Sequence, residues 1–154
     1  MRQTFLLDEN IVYHAIRRAD KHDNPDPTAA DLIDAIGRIC HLIFVNPMLI
    51  ERYHKALKKL RENPPRSLAA MNFIKQFLFN NLKRILDYSE VPDLPVGIGV
   101  PTEDESIVRA AMITRPTIVS ADSGLLEAVN GQPALGLRAM DAAAALNFAK
   151  SELP

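Results

Sequence analysis

Three short apolar runs each break off at a residue suited to cap a helix, and this alternation limits the folds open to the chain. TFLL, Thr4 to Leu7, ends at Asp8; LIFV, Leu42 to Val45, ends at Asn46 and Pro47; TIVSA, Thr117 to Ala121, ends at Asp122. Each run has the length and branching of a strand buried on both faces. Helical spacing separates them: Ile11, Val12, Ala15 and Ile16 after the first, then Leu32, Ile33, Ile36 and Ile39 in a helix from about Ala29 to Cys40. Such alternation predicts an α/β fold, a three-layer α/β/α sandwich around a central, mainly parallel sheet.

The remaining elements follow from their punctuation. Asn46 and Pro47 open a third helix running to about Glu62, where Asn63, Pro64 and Pro65 stop it. The apolar residues from Leu68 to Leu86 predict one long helix over Ser67 to Leu86, whereas Asp87 to Val100, rich in Pro and Gly, reads as extended or looping. Thr102 and Glu105 have the spacing of a capping box, which predicts a helix over Glu103 to Ile113. Ala134 to Arg138 is expected to be the last strand, and Asp141 to cap a terminal alanine-rich helix.

A chain of 154 residues is expected to form a single domain over 1–154, burying about two thirds of its unfolded surface. The lone Cys40 excludes an internal disulfide, and no basic stretch leads into an apolar signal core, so a cytoplasmic location is expected. No apolar run approaches membrane-spanning length. The net charge of -1 hides an uneven distribution: Arg52 to Arg84 holds nine Lys or Arg and one acid, Glu62, and Ile85 to Ser106 holds six acids and no base. A basic surface beside an acidic pocket suits a polyanion handled by a metal, although charge by itself equally describes two solvated helix faces.

The acids then fall into place. Ile107, Val108 and Ala111 lie three, four and seven residues after Asp104, which sets this carboxylate in the apolar stripe of its helix. Burying it requires a cation or hydrogen-bond donors. Asp8 and Asp122 each follow a strand, and ligands of parallel α/β sheets sit outside the carboxyl ends of strands near a switch in strand order. Taken singly, each of these two reads more readily as a helix cap than as a ligand, and the lesser alternative for Asp104 is a buried carboxylate bonded to backbone amides. Other chemistries find no support. Gly97 and Gly99 lack phosphate-loop spacing, the four histidines lack zinc-ligand spacing, and Cys40 sits in an apolar register.

Four segments, in order, resemble the motifs of the PIN domain family, metal-dependent nucleases that include the VapC toxins and ribosomal-RNA-processing enzymes. FLLDENIV is similar to the family's opening strand, with Asp8 as the first acid and Asn10 as its polar companion. FVNPMLIERYHKAL is similar to the second motif through Glu51; EDESIVRAA resembles the third through Asp104; IVSADSGLL resembles the fourth through Ser120 and Asp122. Glu9 departs from the small hydroxyl residue common after the first acid, and Glu103 and Glu105 flank the third, so these three are additional candidate acids.

The resemblance implies a ribonuclease that uses Mg2+ or Mn2+. Asp8, Asp104 and Asp122 hold the metal in that reading, Glu51 completes the catalytic acids, and Asn10 and Ser120 position water or phosphate. Oxygen ligands of this kind suit hard divalent ions. Lys55, Lys58 and Lys59 are the candidate RNA contacts. The implied partners are RNA, an antitoxin protein for the toxin branch, and a second copy in a homodimer. The competing reading is a non-catalytic PIN-like module that binds RNA or protein.

Overall fold

The computed structural model describes residues 2–39, 41–61, 71–72, 74–75 and 84–151. Strand β1 (Thr4–Leu7) runs into helix α1 (Glu9–Arg17), and α2 (Thr28–Arg38) leads to β2 (Leu42–Val45) and α3 (Pro47–Lys58). Strand β3 (Arg84–Leu86) follows, then α4 (Glu105–Thr114), β4 (Thr117–Val119), α5 (Ser123–Asn130), β5 (Ala139–Met140) and α6 (Ala142–Ser151). The five strands form one sheet in the order β3-β2-β1-β4-β5, and every pairing is parallel.

Register explains why the strand sequences are so uniformly apolar. Phe5 pairs with Ile43 on one side and Thr117 on the other, and Leu7 pairs with Val119. Phe5, Leu6, Leu7, Ile43, Phe44, Val45, Ile118 and Val119 are all fully buried, as central strands covered by helices on both faces require. This is the expected α/β architecture with a parallel sheet. The order turns back at β1, so the crevice between the carboxyl ends of β1 and β4 is the switch point where ligands bind in such sheets. Two polar ties fix the layers, one at each end of the sheet. Tyr53 of α3 donates its hydroxyl to the Leu7 carbonyl at 2.6 Å, and buried His41 accepts from Gln3 N–H through Nδ1 and reaches the Ala149 carbonyl through Nε2, both at 3.0 Å.

The structure corrects several boundaries. Arg84–Leu86 is a strand pairing with Ile43–Val45, not the end of a helix from Ser67. Met71, Asn72, Ile74 and Lys75 are helical, and the rest of that expected helix lies outside the described residues, as do Glu62 and Cys40. A run such as Ile85-Leu86 fits either period, and pairing with an open sheet edge decides it. The expected capping box does not form: Thr102–Asp104 is a 3-10 turn without a side-chain cap, and α4 starts at Glu105. The last strand is Ala139–Met140 rather than 134–138, because Pro133–Leu135 is a 3-10 turn and Ala139 is the residue in register with Ile118. α3 ends at Lys58 and passes into a 3-10 turn over Lys59–Arg61. The 87–100 segment is irregular, with a turn at Val96 and Gly97, and is pinned by Arg109 to the Pro92 carbonyl and by Gln132 to Gly99. Among the described residues no helix is long and apolar enough to cross a membrane.

Candidate active site

Asp8 sits where β1 turns into α1. Its extended backbone makes it the N-cap, with Oδ1 accepting from Glu9 N–H at 2.7 Å. Its other oxygen is committed to the switch point: Oδ2 accepts from Ser120 Oγ at 2.7 Å and from Asn10 Nδ2 at 3.2 Å. Asn10 also accepts from Ala121 N–H at 3.1 Å, so one amide side chain clamps the ends of β1 and β4 together. Ser120, fully buried, in turn accepts from Asp122 N–H at 3.0 Å. Asp122 caps α5 through Gly124 and Leu125 N–H. The cap reading and the site reading thus hold at once for Asp8 and Asp122.

Asp104 comes from a third segment. It closes the 3-10 turn before α4, is 6% exposed, and does not cap the helix. Burial, and then the charges of Asp122, Asp8 and Glu103, push its carboxyl up to about 6 against a partial offset from Arg52. Asp8, 5% exposed, is also held above its ordinary value by burial, with Asp122 adding to the shift while Ser120, Glu9 N–H and Arg52 oppose it. The charges of Asp122 and Asp8 thus both act on Asp104, and that of Asp122 on Asp8, so the three carboxylates lie within electrostatic reach of the same crevice.

Arg52 is the member that sequence reasoning missed. Its Nη2 donates to the Glu103 carbonyl at 3.0 Å and to Ser106 Oγ at 2.5 Å, tying α3 to the turn that carries Asp104. No sequence signal marked it, because both partners lie more than fifty positions away and one is a backbone carbonyl. Glu51 is on the surface of α3: its side chain is 70% exposed and pairs with Lys55 at 3.4 Å. Glu9 and Glu105 are half-buried and Glu103 is exposed, as are Lys55, Lys58 and Lys59. Among the described residues no three carboxylate, imidazole or thiol groups stand close enough together to enclose an ion as placed. What fits a hard divalent ion is the chemistry of the donors, three mutually repelling carboxylates with no soft ligand among them.

Neither a scan of family models nor a search of curated proteins matched the chain. Among solved structures it is similar to PAE2754 from Pyrobaculum aerophilum, with 19% identity over 99% of this chain and 100% of that one and a TM-score of 0.59. It is also similar to SSO1118, a PilT N-terminus domain protein from Sulfolobus solfataricus P2, with 9% identity over 99% and 98% of the two chains and a TM-score of 0.48.

Proposed function

We propose that this chain, whose fold is PIN-like, is a divalent-metal-dependent ribonuclease, either a toxin paired with an antitoxin protein or an RNA-processing enzyme. PIN-fold proteins are commonly nucleases. The observation that carries the reading is geometric: Asp8 and Asp122, at the ends of β1 and of the segment after β4, are tied together through Ser120 and Asn10 at the switch point, and buried Asp104 comes within electrostatic reach of both.

Asp8, Asp104 and Asp122 would hold Mg2+ or Mn2+. A bound ion of this kind stabilises charge on phosphoryl oxygens and makes water a stronger nucleophile near neutral pH. The surrounding residues serve orientation. Ser120 and Asn10 fix the Asp8 carboxylate by donating to Oδ2, and Asn10 holds β4 in register with it. Tyr53 and Arg52 anchor α3 to both sides of the crevice. Exposed Lys55, Lys58 and Lys59 supply positive charge for a polyanion. Glu51 is the fourth acid of the proposal and its weakest, because its carboxylate is engaged with Lys55.

That pairing favours one second reading, a non-catalytic PIN-like module that holds RNA or protein. Chelator-stripped protein incubated with end-labelled RNA and added Mn2+ separates the two. The nuclease reading expects cleavage that chelation abolishes and that Asp104→Asn loses while RNA binding and folding survive. Binding without cleavage under any divalent ion would leave the module.

A further inference from the structure

A pocket of about 260 Å3 opens between α1, the α1–α2 loop and the start of α6. Ala121 forms part of its wall, and this is the residue whose N–H is held by Asn10, between Ser120 and Asp122 of the proposed centre. One turn along α1 from Asn10, His14 lines the same pocket, with Ile11, Ala29 and Ala142 as apolar surface. The volume falls just under the roughly 300–1,000 Å3 that takes a drug-sized ligand, so it suits one ring system rather than several.

Its far wall is a built structure. Asp20 accepts from His22 and Asn24 N–H at 2.8 and 2.9 Å, and Asp26 N–H donates to the Arg18 carbonyl at 2.9 Å, which shapes the α1–α2 loop against α1. Asp26 bonds Thr28 through Oδ1, and Asp141 bonds Ala144 N–H through Oδ1, so the Oδ2 oxygen of each is the acceptor left for a ligand. Asp20, Asp26 and Asp141 against Lys21 make the lining acidic. A phosphate is repelled from such a lining, and a group rich in N–H donors is drawn to it.

We propose that this pocket is a subsite for one RNA base carrying an exocyclic amino group, with Asp26 and Asp141 accepting from its amino edge and Lys21 at the rim meeting its phosphate. RNA recognition characteristically places a splayed base in a pocket and reads its edge by hydrogen bonds, and a carboxylate pairs with the amino group of cytosine but not with the carbonyl of uracil. His14 is held below the ordinary imidazole value by burial, against the opposing charges of Asp20 and Asp26. Continuity with the aspartates through Ala121 favours RNA over a basic peptide, and to that extent the inference rests on the ribonuclease reading.

Cytidine and uridine monophosphates differ in the group that decides the question. Each is titrated into metal-free wild-type protein in chelator, with amide shifts of Ala19, Thr28, Ala121 and Ala143 read by NMR. The cytidine nucleotide is expected to move these amides and to bind about tenfold more tightly than the uridine nucleotide, and Asp26→Asn to erase about that tenfold difference. Ala143→Phe, at an exposed position lining the pocket, is expected to block binding should Asp26→Asn fail to fold. Equal binding of both nucleotides, no shift at these amides, or tighter binding of argininamide than of cytidine monophosphate overturns the proposal. The outcomes separate from those of cleavage: pocket shifts in a chain that cleaves nothing keep the subsite and sink the nuclease, and cleavage without pocket shifts does the reverse.

Discussion

Ser120 Oγ donates to Asp8 Oδ2 at 2.7 Å, a bond that joins the carboxyl ends of β1 and β4 across 112 positions of sequence. Both residues are buried, so removing the hydroxyl leaves a carboxylate oxygen short of a donor in a dry crevice. Ser120→Ala is expected to destabilise the chain by about 1–3 kcal/mol in urea unfolding. It also raises the Asp8 titration midpoint, because Ser120 is the largest influence holding that carboxyl down. An unchanged midpoint by carboxyl NMR would mean that the bond does not exist in solution.

The pH dependence of stability has a definite sign. The Asp104 carboxyl titrates near 6 when folded against an ordinary 3.8, so the folded chain holds this proton more tightly than the unfolded one. Its contribution is complete below about pH 3.8 and is lost as pH rises through about 6. Asp8 shifts in the same direction. Metal-free protein is therefore expected to lose melting temperature across this window, and Asp104→Asn to flatten the loss. Saturating Mn2+, which binds the charged form, restores stability by about 2.7 kcal/mol at a hundredfold excess over Kd. A melting temperature indifferent to both Mn2+ and pH would show that the acids do not interact.

Glu51 and Arg52 are neighbours with opposite expectations. Glu51→Gln breaks an exposed pair with Lys55 and is expected to change stability by less than about 1 kcal/mol. Arg52→Ala removes a guanidinium bonded to the Glu103 carbonyl and to Ser106, and is expected to cost about 1–3 kcal/mol and to move the Asp104 midpoint upward. Matched urea melts and carboxyl NMR decide. A larger loss of cleavage from Glu51→Gln than from Asp104→Asn would return Glu51 to the centre.

Much of this was legible in the sequence, for physical reasons that also mark where reading stops. Strands covered on both faces leave a clear apolar pattern in TFLL, LIFV and TIVSA, the last of which overruns β4 by two residues, and the stripe through Ile107, Val108 and Ala111 rightly placed Asp104 on a buried face. Ile85 and Leu86 misled because an edge strand of three residues carries no period of its own. The capping box at Thr102 misled because the turn tightened to 3-10 and turned Asp104 into the crevice. Arg52 was invisible because its partners, Glu103 and Ser106, are distant in sequence and one is a backbone carbonyl.

Arg18 closes α1 in the left-handed region, at φ 52°, with its side chain exposed. That conformation strains any residue with a Cβ, so Arg18→Gly is expected to stabilise by up to about 1 kcal/mol, less the added freedom of the unfolded chain. A lower melting temperature would show that the Arg18 side chain makes a contribution exceeding the strain.

The central claim, that Asp8, Asp104 and Asp122 form one divalent-ion site, is tested most directly by calorimetric titration of chelator-stripped protein with Mn2+, wild type beside Asp104→Asn. The account predicts saturable binding in the wild type, with release of protons below pH 6, and its loss in a folded Asp104→Asn. Binding of equal strength in both proteins, or in neither, would contradict it.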